Sequence, residues 1–169
     1  MKKELQYNIK DSSKIIKQLF SNKSLRKSRD SLKNGSLFIG SYKAKNQSDT
    51  YDKRPFVLIL RQNKSHILGL NFHYLPVKHR VSLIKVILKL NESNIKNKKP
   101  LNFSYEQIKP FLKKFGYVPC IRLYIRKRMS SEVVKINSEE LLPMSKLNTS
   151  LFTNGVKPEQ IYKMKLKNK

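Results

Sequence analysis

The chain has 169 residues, the size of one ordinary domain. Thirty-seven Lys and Arg against eleven Asp and Glu give a formal charge of +26, which repels itself in a compact state and attracts polyanions. A nucleic acid is therefore the expected partner, with an anionic surface or an acidic protein assembly as alternatives. The single cysteine, Cys120, excludes an internal disulfide and a cysteine-based zinc site from one chain.

The N-terminus begins with lysines but lacks the apolar run of a secretory signal, and no apolar stretch is long enough to span a bilayer. A soluble protein made in the cytoplasm, with no membrane partner, is expected. Residues 1–35 are basic and read as an N-terminal arm. It carries one short helix, capped by Asp11 or Ser12, with Ile15, Ile16, Leu19 and Phe20 on its apolar side. SNKSLRKSRDSLKNG then looks too polar to order itself without a partner.

Residues 36–145 read as one α+β domain. SLFIGSY suggests a strand, and PFVLIL a buried strand rich in β-branched residues. RQNKSH is a hairpin connection, and ILGLNFHYL the returning strand. VKHRVSLIKVILKL is the clearest helix: Val77, Val81, Ile84 and Leu88 share a face that Leu83, Ile87 and Leu90 widen. Pro76 suits its start, because the missing N–H would be unpaired there anyway. NESNIKNKKP reads as a basic linker. Ser104 and Gln107 form a capping-box pair, Gly116 a C-terminal stop, and Pro110 limits the helix between them. In CIRLYIRKRM, Ile121, Leu123 and Ile125 alternate with Arg122, Tyr124, Arg126 and Arg128. EVVKI offers a last strand, and Ser138 opens a helical turn that Pro143 interrupts. Residues 146–169 read as a basic C-terminal tail. The expected fold is a small curled antiparallel sheet, with an SH3-like barrel as its closed form, a few short helices and basic extensions at both ends.

His73 is the one candidate catalytic base, with Asp49 or Asp52 to orient it. No serine elbow, reactive-cysteine setting, paired metal-binding carboxylates or phosphate-binding glycine loop accompanies it. His73 and Asn71 are therefore read as structural groups bonded to the backbone at a strand-to-helix corner. No catalytic residue, metal or cofactor is assigned. The binding candidates are Arg122, Arg126 and Arg128, placed to meet successive phosphates, and Tyr124, placed to stack on a base. Lys23, Arg26, Lys27 and Arg29 of the arm join them.

LFIGSYKAK, YDKRPFVLIL and HILGLNFHYLPVKHRVSLI together resemble a pattern of tailed-bacteriophage virion proteins. In it a YxAK strand precedes YDxxP, an apolar strand and GLNxHYLPxxxR. Tyr51, Asp52, Pro55, Gly69, Asn71, His73, Tyr74 and Pro76 carry the match; Val77 departs from it, since a second proline is frequent there. CIRLYIRKRMSSEVVKINSEELLPM resembles its continuation. The resemblance implies a non-enzymatic virion component, either of the group that protects packaged DNA ends or of the neck and baseplate. It would be present in multiple copies among other virion proteins. Combined with the charge, it points to DNA contact. The alternatives are a tail, baseplate or neck assembly protein docking on acidic subunits without nucleic acid, and a DNA-processing enzyme.

Overall fold

The computed structural model describes residues 8–46, 51–102, 104–114, 116, 117 and 120–167. Its six strands are β1 (Arg26–Ser28), β2 (Leu37–Ile39), β3 (Phe56–Gln62), β4 (His66–Asn71), β5 (Ile121–Ile125) and β6 (Glu132–Ile136). They form one antiparallel sheet in the order β1-β6-β2-β3-β4-β5. Six helices accompany it: α1 (Ile9–Ser21), α2 (Val77–Leu90), α3 (Glu92–Lys96), α4 (Tyr105–Lys114), α5 (Ser138–Ser145) and α6 (Pro158–Lys167). None is long and apolar enough to cross a membrane, among the described residues.

The sheet is open, with β1 and β5 at its edges, so strand pairing does not close the SH3-like barrel. It is nevertheless curled. β5 and β6 stand four positions apart in the sheet order, roughly 19 Å if the sheet were flat. The link between them is short and holds the 3₁₀ turn Arg126–Arg128. It can cross only because the sheet bends toward it. Met129 pairs with Tyr42, and the Ser130 N–H donates to the Ser41 carbonyl at 2.9 Å.

Curling buries both faces. Phe38, Val57, Ile59, Ile67, Tyr124, Met129 and Val133 pack inside the bend. Leu37, Ile39, Phe56, Leu58, Leu60 and Leu70 face the helices, meeting Ile16, Leu83, Ile84, Ile87, Leu141 and Met144. A strand with no wet face needs no polar alternation, which is why PFVLIL is a continuous apolar run. Gly69 exists for the same reason: a Cβ there would lie 2.2 Å from Val57 Cγ1 across the pair.

Several segments differ from their expected form. Residues 23–35, expected as a disordered arm, contribute the edge strand β1 between two 3₁₀ turns. Leu25 and Leu32 are buried, β1 pairs with β6, and the Arg29 N–H donates to the Ser131 carbonyl at 2.7 Å. The polar residues between these anchors are turn chemistry: Asn22 accepts the Ser24 N–H and Ser28 accepts the Asp30 N–H. Asn8, not Asp11 or Ser12, caps α1, and Ser12 is buried, its hydroxyl accepting the Asn148 N–H. The segment expected as a linker contains α3. The segment expected as a tail places Leu147, Phe152 and Ile161 in the core. Pro143 sits within α5 rather than stopping it, after a capping box made by Asn137 and Glu140. The Ser104–Gln107 box forms as expected.

α2 spans the expected residues, but its buried face is turned. Arg80 is fully buried, whereas Leu90 is exposed. Arg80 Nη1 donates to the Leu147 carbonyl at 2.9 Å, and burial pulls its pKa down to about 10 against the pull of Glu159.

At the corner between β4 and α2 the chain passes through a 3₁₀ turn, Phe72–Tyr74, capped by Asn71, which accepts the His73 N–H. The His73 ring is bonded not to backbone but to a carboxylate. Its Nδ1 lies 2.9 Å from Asp52 Oδ2, and Asn71 Nδ2 donates to the same oxygen. Asp52 Oδ1 accepts the Arg54 N–H. The imidazole is fully buried and stacks on Phe152 at 4.7 Å, so no substrate reaches it. Asp49 lies outside the described residues.

His73→Ala should lower unfolding stability by about 1–3 kcal/mol, because Asp52 is left buried with a missing partner; denaturant melts that match wild type would refute this. Gly69→Ala should cost about 1–3 kcal/mol through overpacking against Val57; a neutral midpoint shift would contradict it. In amide exchange on the isolated protein the Arg29 N–H should be protected, and exchange at the rate of an unstructured peptide would restore the disordered-arm view.

Candidate nucleic-acid interface

The basic residues singled out in the sequence occupy quite different surroundings. β5 stops at Ile125, and the 3₁₀ turn that follows breaks the period-two pattern, so Arg126 and Arg128 do not continue Arg122's row. Tyr124 is only 4% exposed and meets Tyr42 edge-on inside the curl, while Leu123 is 60% exposed. The expected apolar and polar faces of this strand are thus corrected. The curl buries the Tyr124 side, and no helix covers Leu123. In this geometry Tyr124 has no open face for a base.

Most of the expected arginines are engaged within the chain. Arg126 donates to Gln62 Oε1 at 2.6 Å and Asp30 Oδ1 at 2.8 Å. Arg29 Nη1 donates to the carbonyls of Arg126 and Met129, and Arg26 clasps the Phe20 carbonyl. Arg128 reaches the Ala44 carbonyl at 3.5 Å. Asp30 is held below the usual carboxylate range by its hydrogen bonds from Arg29 and Arg126. These groups fasten the β5–β6 link to β1. Arg122, Lys23 and Lys27 are exposed.

The residues of the YDxxP and GLNxHYLP runs converge. Tyr51, Asp52 and Tyr74 line a small pocket with Arg122 and Tyr124. Asn71 and His73 stand behind Asp52. Pro55 and Gly69 are buried in or beside the neighbouring strands, and Pro76 starts α2.

One cationic feature was not legible in the sequence. A trough of about 490 Å³ is lined by Lys27, Lys33, Lys99 and Lys135, with Asn34, Asn94 and Asn102 among them and no acidic residue. A second hollow of about 570 Å³ shares Lys99, Pro100, Leu101 and Lys135 with it, adds Lys98, and has Glu139 at its far end. The walls come from three separate stretches. One runs from Lys27 in β1 to the turn before β2, where Gly35 adopts φ +82°. Another is the loop after α3, pinned by buried Asn91 Oδ1, which accepts the Asn102 N–H and Asn94 Nδ2. The third is β6. Each lysine run alone looks like a solvated surface; only folding sets them around one channel. Ammonium groups without acid partners form a cradle for phosphates or another extended anion. Among the described residues, no three His, Cys, Asp or Glu side chains gather to hold a metal ion.

Comparison with known proteins adds the family. No curated protein and no solved structure matches the chain. Residues 3–163 match the family described as phage T4 terminal DNA protecting protein. The match takes in almost every element above, from α1 into α6. Of the two groups to which the GLNFHYLP pattern pointed, it is the DNA-end-protecting one, and the chain belongs to the phage T4 terminal DNA protecting protein family.

Proposed function

We propose that the chain is a non-enzymatic virion component that binds the end of packaged phage DNA and shields it. The family match carries this reading, since the family is described by that role and the match covers nearly the whole chain. The lysine trough supports it by offering an acid-free channel on a chain of charge +26. In this reading duplex phosphates lie along Lys27, Lys33, Lys99 and Lys135, which neutralise them and release condensed counterions. Arg26, Arg29 and Arg126 act indirectly, by holding β1 and the β5–β6 link in place. Other virion proteins surround the folded domain, which is present in multiple copies in the particle. The buried imidazole of His73 plays no chemical part, because its role is to hold the Asp52 loop.

Purified protein should protect linear duplex DNA from an exonuclease, and its affinity should fall steeply with salt. Replacing Lys27, Lys33, Lys99 and Lys135 with Gln should flatten the plot of log K against log salt by up to about 3–4 units, since each lost phosphate contact removes about 0.9. Absence of protection by wild type would sink the function. An unchanged slope in the fourfold variant would move the DNA off the trough. If that variant still binds DNA but fails to enter particles, the trough docks an acidic protein instead.

A further inference from the structure

A trough of lysines binds any stretch of duplex; shielding an end calls for a feature found only there. The pocket beside β5 has the form for one. It holds about 230 Å³, less than half the volume of the trough, and includes Tyr42, Tyr51, Tyr74, Tyr124, Arg122 and Lys45 in its walls. It lies past the end of β2, whereas the trough flanks the turn that leads into that strand.

Three observations make it a binding site rather than a gap. The Tyr124 hydroxyl is buried and makes no hydrogen bond. The Asn71 amide beside it gives one N–H to Asp52 and takes the His73 N–H, and its second N–H is turned toward the phenol oxygen, so it is the hydroxyl proton that lacks an acceptor among the described residues. Tyr124 lines the pocket together with Tyr74, Asp52 and Arg122. A buried hydroxyl without a partner is costly unless a ligand supplies one. Second, Arg122 differs from Arg26, Arg29, Arg126 and Arg128, because its guanidinium makes no hydrogen bond or ion pair among the described residues and is exposed at the pocket wall. Third, Asp52, the one acid in the wall, has both oxygens engaged by His73, Asn71 and the Arg54 N–H. It braces the wall and offers no free acceptor to a cation.

The free groups are thus a hydroxyl donor, a guanidinium and the ammonium of Lys45. That set matches an anion with several acceptor oxygens. A passing strand would need an entrance and an exit, whereas this pocket is small and has buried Tyr74 and Tyr124 in its lining. A phosphate monoester at a strand terminus needs only an entrance. It carries three acceptor oxygens and nearly two charges. We propose that this pocket seats the terminal phosphoryl group of the bound DNA, so that Arg122 and Tyr124 distinguish an end from the interior of the duplex. The proposal rests on the reading of the chain as a DNA-end protector.

The test measures the affinity of the full chain for four short blunt duplexes: 5′-phosphorylated, 3′-phosphorylated, unphosphorylated, and closed by hairpins at both ends. Wild type should bind one phosphorylated end about tenfold more tightly than the hydroxyl end, the size expected for charge-assisted hydrogen bonds. Which of the two it prefers identifies the strand that enters the pocket. Arg122→Gln and Tyr124→Phe should bring that ratio close to one while leaving affinity for the hairpin-closed duplex unchanged. Tyr124→Phe keeps the ring that packs on Tyr42, and its thermal midpoint checks that the fold is intact. Equal wild-type affinity for phosphorylated and hydroxyl ends, or variants that lose affinity for all four duplexes alike, would overturn the pocket assignment. Wild type that fails to prefer open ends over closed hairpins would instead overturn end protection itself.

Discussion

One buried carboxylate holds the β4–α2 corner of this molecule together. Asp52 takes the His73 ring, the Asn71 amide and the Arg54 N–H, and so ties the loop before β3 to the corner where β4 turns toward α2. Phe152, from a segment a hundred residues away in sequence, closes the assembly by stacking on His73. The tyrosines around the Arg122 pocket stand on this frame. Removing any of its polar members would leave the others desolvated and unpaired, a larger loss than the net worth of each bond. The YDxxP and GLNxHYLP runs therefore act as two halves of one joint.

Four of the described acids are tied into the fold. Asp30 is engaged by Arg29 and Arg126, Asp52 by His73, Glu132 by Arg26, and Glu140 caps α5. Carboxylates thus serve the fold, fastening arginines and helix starts. Among the described residues the trough lysines have no such partners. That arrangement raises the self-repulsion of the native state, which a polyanion in the trough would relieve. Binding of a polyanion there would thus be coupled to stability through the same charges.

Much of the fold was legible. β3, β4, β6 and α2 follow from apolar runs and spacing, and the Ser104–Gln107 cap from residue types alone. Three features were not. Leu25 and Leu32 are single apolar anchors in a polar stretch, too sparse for any periodic signal, yet a three-residue strand suffices when β6 supplies the partner. Arg80 looks like a surface residue in the sequence, because nothing local shows that the Leu147 carbonyl waits inside. On β5 the alternation itself was real, but which side is buried depends on the curl, a property of the whole sheet. The site followed the same rule. The corner residues are contiguous and were recognised together, whereas the trough is assembled from three distant stretches.

The placement of β6 between β1 and β2 has a consequence for how the protein is made. More than a hundred residues separate β1 from its partner strand, so that β1 and one edge of β2 stay unpaired until residues 132–136 have been synthesised. Throughout that interval the nascent chain is an incompletely folded polycation beside the RNA that encodes and makes it. Folding and stray nucleic-acid capture then compete for the same lysines, and the long-range pairing that completes the sheet is the slower kind of step. Expression at high ionic strength, or alongside the natural DNA, would tilt that competition toward the native state.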